Sequence, residues 1–342
     1  MTPGITPHET AKSVLAVLAG VPLGQAAATV RIPPADLADA VEIYQAAGYA
    51  ALQAQATSSG WYQARIQFTR WDAAEHNAAT SLFPLLTQMQ DQGVATAWWF
   101  IRKAPCWRLR IQPGPAACTS MKAAISSALD GLIAAGPIEG WREGIYEPET
   151  AAFGGAEGMD IAHALFHADS RSILGYVLRP PPAAPGEVST GRRELSILLC
   201  TALLRGAGQE WHEQGDVWHR VAHLRPLPPG TPAGTLREMT AGLRRLMTAD
   251  AQPGGALFGP RGPLAFAAPW AAAFSAAGRS LGAAASSGTL DRGVRDILAH
   301  HVIFHWNRLG LADRSQGILA RAARDTILGQ PGTAPGTRLS DG

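Results

Sequence analysis

Arginine and tryptophan crowd one short stretch, TAWWFIRKAPCWRLRIQPG, Thr96 to Gly114. Between Trp98 and Arg110 three tryptophans share thirteen residues with Arg102, Lys103, Arg108 and Arg110. In CWRLRIQ, strand alternation puts Arg108 and Arg110 on one face and Trp107, Leu109 and Ile111 on the other. Two guanidinium groups at neighbouring same-face positions form a fork suited to carboxylates or phosphates. The alternative is a solvent-facing edge with two arginines of no particular role. Aromatic rings interleaved with cations also suit single-stranded nucleic acid, but the chain has neither RNP-type nor KH signatures.

Three other groupings could carry chemistry. In YEPETAAFGGAEGMD, Glu147 and Glu149 precede the glycine pair Gly154-Gly155. A carboxylate capping a helix at Met159 is the plain role, acid–base work the functional one. Neither GxGxxG nor a phosphate-loop Lys-Ser/Thr follows, so nucleotide binding is unsupported. HALFHADSR holds His163, His167, Asp169, Ser170 and Arg171. It lacks the acid of HExxH, and no GxSxG elbow occurs in the chain; Asp169 to Arg171 read as settling a helix against a sheet. In AHHVIFHWNRLGL, His301 and His305 share a helical face, with Arg308 one turn on. No third ligand suggests itself, so no metal is expected. A proton-transfer histidine beside an arginine and a buried, hydrogen-bonded histidine both remain open.

Composition bounds these readings. The 342 residues are 46% hydrophobic and 16% charged, which describes a core-forming globular chain. A formal net charge of +2 gives no global attraction to nucleic acid or an anionic membrane. Lysine stands only at Lys12, Lys103 and Lys122, so arginine abundance alone carries little weight. Cys106, Cys118 and Cys200 have no ligand-like spacing, which argues for a reducing compartment and against a disulfide framework. With neither a signal-like N-terminus nor an apolar run of spanning length, the expected location is cytoplasmic, away from membranes.

The elements that must position these residues can be read in order. Residues 9–54 read as short helices with tight turns, a packed appendage in preference to a DNA-binding helix-turn-helix, because Asp36, Asp39 and Glu42 would repel phosphate. GWYQARIQFTRW alternates as a half-buried strand. NAATSLFPLLTQMQDQG follows as a helix, then ATAWWFIRK and CWRLRIQP as strands about a turn at Ala104-Pro105. SMKAAISSALDGLIAAG is a further helix and GWREGIYEP a strand. The order β-α-β-β-α-β predicts a ferredoxin-like antiparallel sheet. From about Gly158 the chain reads as helical: MDIAHALFHADSRSILGYVL, RRELSILLCTALLRGAG, GTLREMTAGLRRLM, PWAAAFSAAGRSLGAAA and RGVRDILAHHVIFHWNRLGL, with Pro/Gly-rich loops at 179–187, 226–234 and 252–263. The expected class is α+β: a helical segment over 1–56, one domain over 57–330 with a large helical half, and a disordered tail over 331–342.

Several motifs resemble a known family when taken together and in order: WYQARIQF, WWFIRKAPCWRLRI, YEPETAAFGG, LFHADSR, RELSILLCTALLRGAG followed by EW and EQGDVW, and HWNRLGL. They are similar to the thiopeptide-type bacteriocin biosynthesis proteins, stand-alone relatives of the C-terminal domain of class I lantibiotic dehydratases. The resemblance covers about residues 58–328. It implies a cofactor-free lyase acting on the leader and core of a ribosomal precursor peptide. Such a lyase eliminates glutamate from glutamylated Ser or Thr to leave dehydroalanine or dehydrobutyrine. A separate glutamyl-tRNA-dependent glutamylating enzyme would supply the substrate; a homodimer is compatible, and direct nucleic-acid contact is not expected. Other members perform a formal [4+2] cycloaddition as pyridine synthases, and a catalytically silent peptide-binding partner is a further alternative. By the resemblance, Arg108 and Arg110 match the RxR strand, Glu149 the acidic residue before the glycine pair, and His305 the C-terminal histidine. Arg102 and Arg308 are expected to bind substrate. Two positions depart: Ala152 stands where eliminating members carry arginine, and Ile303 stands at the histidine of HMxxNR.

Overall fold

A computed structural model describes residues 6–58, 60–180 and 190–329, in two compact units, Met1–Gly60 and Trp61–Gly342. The proposed tail and most of the loop at 179–187 lie outside the described residues. In the first unit α1 (Pro7–Leu18), α2 (Leu23–Val30) and α3 (Pro34–Ser58) follow one another. Thr6 and Glu9 close a reciprocal capping box at the start of α1. The core of this unit is small: Val14, Ala26, Ala27 and Leu37.

In the second unit β1 (Tyr62–Phe68), β2 (Ala95–Lys103), β3 (Cys106–Pro113) and β4 (Ile138–Gly144) form one sheet in the order β2-β3-β1-β4. Every neighbouring pair is antiparallel. Between β1 and β2 run α4 (Ala74–Asn77), a π-helical turn (Ala78–Leu82) and α5 (Phe83–Asp91). The widened turn sits just ahead of Pro84, which has no N–H for the regular helical ladder. α6 (Cys118–Ala135) joins β3 to β4. Strand alternation holds: Tyr62, Ala64, Ile66 and Phe68 are buried on one side of β1. That side meets α5 through Phe83 against Trp98, and α6 through Trp141, whose Nε1 donates to Asp130 at 2.8 Å.

The helical half begins with α7 (Gly155–Val177), earlier than the sequence suggested. Gly154 and Gly155 have φ of +83° and +95°, a left-handed geometry that lets the chain turn straight into the helix. No side chain caps it, so the carboxylate cap read from Glu147 and Glu149 is not formed. α7 lies along β2, at the edge of the sheet: Ser170 Oγ accepts from the Phe100 N–H at 3.2 Å, and His167 Nδ1 donates to the Trp98 carbonyl at 2.8 Å. Its side chains thereby satisfy backbone groups that an edge strand would leave open.

Then come α8 (Arg192–Gly206), α9 (Trp211–Leu224), α10 (Ala233–Thr248), α11 (Ala268–Ser287), α12 (Val294–Leu309) and α13 (Asp313–Leu328). α8 is buried on all sides from Leu195 to Leu204, the pattern of a central helix. α9 and α13 were not singled out as elements from sequence. Among the described residues no helix is long and apolar enough to cross a membrane.

Candidate active site

Two clusters of buried polar groups stand either side of an aromatic layer. The first is built on the sheet face opposite α5 and α6. In register across it, Gln63 of β1, Arg110 of β3 and Trp99 of β2 form one row. Arg110 is only 3% exposed, and its guanidinium carbon lies 4.1 Å from the Trp99 ring centroid and 4.4 Å from that of Tyr146. Its Nε donates to Gln63 Oε1 at 2.9 Å, and Gln63 Nε2 donates to the Ile145 carbonyl at 2.9 Å. Its Nη1 has no partner among the described residues. Burial pushes the Arg110 pKa down to about 10, opposed by Tyr146 and the charge of Glu149. The group therefore stays cationic at neutral pH, with no carboxylate in contact among the described residues.

Glu149 sits in the segment between β4 and α7, half-buried, with Oε2 enclosed and without a partner among the described residues. Tyr146, four residues after Arg142, lies within hydrogen-bond reach of His163 on α7, its hydroxyl 2.8 Å from Nε2. Burial, then Arg110, lowers the His163 pKa to about 4, and burial raises that of Tyr146. At neutral pH the pair is a neutral imidazole accepting from a phenol, with the Trp61 ring 4.7 Å from the His163 ring.

The second cluster joins α7, α11 and α12. Asp169, fully buried, accepts from Trp270 Nε1 at 2.8 Å, from His305 Nδ1 at 3.0 Å and from Arg308 Nε at 2.7 Å. Burial alone would raise the Asp169 pKa; His305 and Arg308 outweigh it and hold the carboxyl below its usual range. Among the described residues His305 Nε2 and both terminal nitrogens of Arg308 are unpartnered and enclosed. His301 on the same helix is also buried, neither ring nitrogen has a partner among the described residues, and burial reinforced by Arg308 lowers its pKa to about 3. Its ring packs edge-on against Phe153 at 4.9 Å, as an apolar side chain would.

The two clusters meet through a stack. Arg110 lies over Trp99, Trp99 packs on Phe166 at 4.8 Å, and the Arg308 guanidinium lies 4.2 Å from the Phe166 centroid. The charges of Arg110 and Arg308 act on each other across this layer. Of the residues marked from sequence, Arg110 and Glu149 thus belong to one neighbourhood, and His305 and Arg308 to the adjoining one. Arg108 shares the face of Arg110 but lies one row further along, half-buried beside Arg65, so the expected fork opens into two environments. Arg102 is elsewhere: with Arg192 it grips Glu75 of α4, and its ring neighbour is Trp107. Its charge is already paired inside the fold.

Gln63, Tyr146 and Trp270 were not marked from sequence, and Asp169 was given a packing role. Asp169 had a signal. It interrupts the apolar stripe Met159, Ala162, Phe166, Ile173 on the buried side of α7, where an uncompensated charge is costly.

The architecture is that of an α+β domain with a four-stranded antiparallel sheet under a helical half. The chain belongs to the family described as lantibiotic biosynthesis dehydratase C-term, whose model matches residues 61–327. No curated protein matches. Among solved structures the fold is similar to the tRNA-dependent lantibiotic dehydratase MibB from Microbispora sp. 107891, with a TM-score of 0.54 and 19% identity over 79% of this chain and 28% of that one. TsrL gives a TM-score of 0.53 and 17% identity over 79% of this chain and 98% of that one. The pyridine synthase TbtD from thiomuracin biosynthesis gives 0.53 and 15% over 78% and 97%. The chain therefore spans about a quarter of MibB but nearly the whole of TsrL and TbtD.

Proposed function

We propose that this protein modifies a ribosomally made peptide by eliminating glutamate from glutamylated Ser or Thr, leaving dehydroalanine or dehydrobutyrine. The observation that carries this reading is Arg110, a buried cation with an unpartnered Nη1 and the unpartnered carboxylate of Glu149 acting on it. Elimination needs a base for the Cα proton and a cation for the enolate oxygen or the departing carboxylate. Glu149, half-exposed, is suited to take the proton; Arg110 receives the negative charge. The electrons of the C–H bond form the new double bond as the Cβ–O bond breaks, and glutamate leaves as a carboxylate. His305, enclosed and tied to Asp169 through Nδ1, supports the site alongside Arg308. A separate glutamylating enzyme would supply the ester.

A second reading, formal [4+2] cycloaddition of two dehydroalanines with release of leader, is favoured by two positions and by likeness of fold. Ala152 offers no cation, Ile303 is buried in the core without an ionisable group, and the fold is similar to that of the pyridine synthase TbtD. Purified protein given a glutamylated precursor should release free glutamate, each event leaving a peptide one water lighter than the unmodified one. If the adducts persist while a peptide with two dehydroalanines is cyclised, cycloaddition replaces elimination. Tight leader binding with neither product would mean a silent partner.

A further inference from the structure

One row further along the sheet from Arg110, three arginines stand abreast. Arg142 of β4 is opposite Arg65 of β1, and Arg65 is opposite Arg108 of β3. With Lys103 they line a groove of about 530 Å³ that includes Gln67 and the turn at Ala104-Pro105. Like charges directly opposite on neighbouring strands destabilise a sheet, so packing alone does not account for this row. Among the described residues no carboxylate pairs with any of the four cations. Neither acid of β4 pairs with these cations, although Glu139 stands beside the groove on Gln67. Glu139 accepts from Gln67 at 2.6 Å, and Glu143 acts on Tyr62 on the other face. Arg65 keeps an enclosed Nε without a partner.

We infer that this row of cations docks an acidic stretch of a peptide. The inference rests on the reading above that the protein works on a peptide, and names where a carboxylate-rich part of it would sit. Strands about 4.8 Å apart set the row's spacing, which suits carboxylates about 5–6 Å apart at i and i+3 or i+4 of a helix. Nucleic acid fits less well. The net charge is +2, and the one aromatic lining the groove, Trp141, is held by Asp130, so no ring is free for base stacking. Because Arg108 and Arg110 are two apart on one face, a segment held by the row leads on towards Arg110 about 7 Å away.

The test uses the full chain and three fluorescein-labelled probes of equal length: hexaglutamate, hexalysine and a thymidine hexanucleotide, read by anisotropy at low and high salt. Hexaglutamate should bind, weaken with salt, and lose about tenfold or more in affinity in Arg65→Gln/Arg142→Gln, from the charge-assisted bonds removed. The melting temperature of that variant should hold or rise, since repulsion is relieved. Arg142→Glu, at an exposed position, provides a second variant that should weaken binding at least as much. Unchanged hexaglutamate affinity in both variants overturns the inference, and tighter, Arg65-dependent binding of the oligonucleotide replaces it with a nucleic-acid site. Glutamate release is scored separately on a core peptide without acidic residues. A failure of the proposed chemistry would appear there, and a failure of docking in the anisotropy alone.

Discussion

Arg110 is a buried cation. Its desolvation is offset by two aromatic faces and one glutamine, with no carboxylate in contact. Removing an unpaired buried charge removes its desolvation cost, against the loss of one hydrogen bond to Gln63. Arg110→Met should therefore keep or raise the melting temperature while abolishing glutamate release; a variant that melts earlier and still turns over would make Arg110 structural. Asp169 should behave in the opposite way. It neutralises Arg308 and orients His305 in a fully enclosed cluster. Asp169→Asn leaves the buried guanidinium uncompensated and should cost about 3–5 kcal/mol in denaturant unfolding. A cost below about 1 kcal/mol, the range of an exposed pair, would mean the cluster is not closed as described. Such contrasts were only half legible in the sequence. Alternation put Arg108 and Arg110 on one face, but which of them lies under Trp99 and Tyr146 depends on β2 and on the segment after β4. Arg102 shows the same limit, since its partner Glu75 stands 27 positions upstream.

At the scale of elements, the strands were legible because their apolar positions recur every second residue. α7 was placed a turn late because Gly154 and Gly155 resemble a loop until their left-handed φ is known. α9 and α13 carry polar sequences, WHEQGDVWHRVAHL and DRSQGILARAARDTIL, whose narrow apolar stripes become evident once the two helices are seen packed together. The close approach of α8 and α11 was also hidden, since a glycine in a helix looks like a weakness. At Gly278 a Cβ would collide with the Leu203 carbonyl oxygen and come within 2.9 Å of the Ala207 nitrogen, so the absent side chain permits the crossing. Gly131 in α6 has nothing within 4 Å of the same atom. Gly278→Ala should destabilise by about 1–3 kcal/mol, as overpacking does, whereas Gly131→Ala should stabilise by about 0.5–1 kcal/mol. Denaturant midpoints of the two variants, moving in opposite directions, check the crossing; a shift of Gly278→Ala to higher denaturant would exclude it.

For the whole molecule, the buried histidines tie stability to pH. In the unfolded chain a histidine takes up a proton near pH 6.5. In the folded protein burial delays this to about pH 4 at His163 and about pH 3 at His301. Below pH 6.5 the unfolded state therefore binds more protons, and stability falls as pH falls, by about 1.4 kcal/mol per pH unit for each such group. The contribution is complete above pH 6.5 and is lost progressively on the way down to the folded values. Asp169, held below the usual carboxylate range, acts in the same direction at still lower pH, when its own carboxyl is forced to protonate. His301 gives the cleaner test, because neither ring nitrogen has a partner and its contact with Phe153 is one that leucine can replace. His301→Leu should match or exceed wild-type stability at neutral pH, since no hydrogen bond is lost. Between pH 6.5 and 4 its stability should decline with a shallower slope than the wild type, because one of the late-protonating histidines, His163, His167 and His301, is gone. Urea unfolding at a series of pH values measures both slopes. Equal slopes in the two proteins would mean that His301 already titrates as it does in the unfolded chain, and that the wall between Phe153 and Arg308 is open to water.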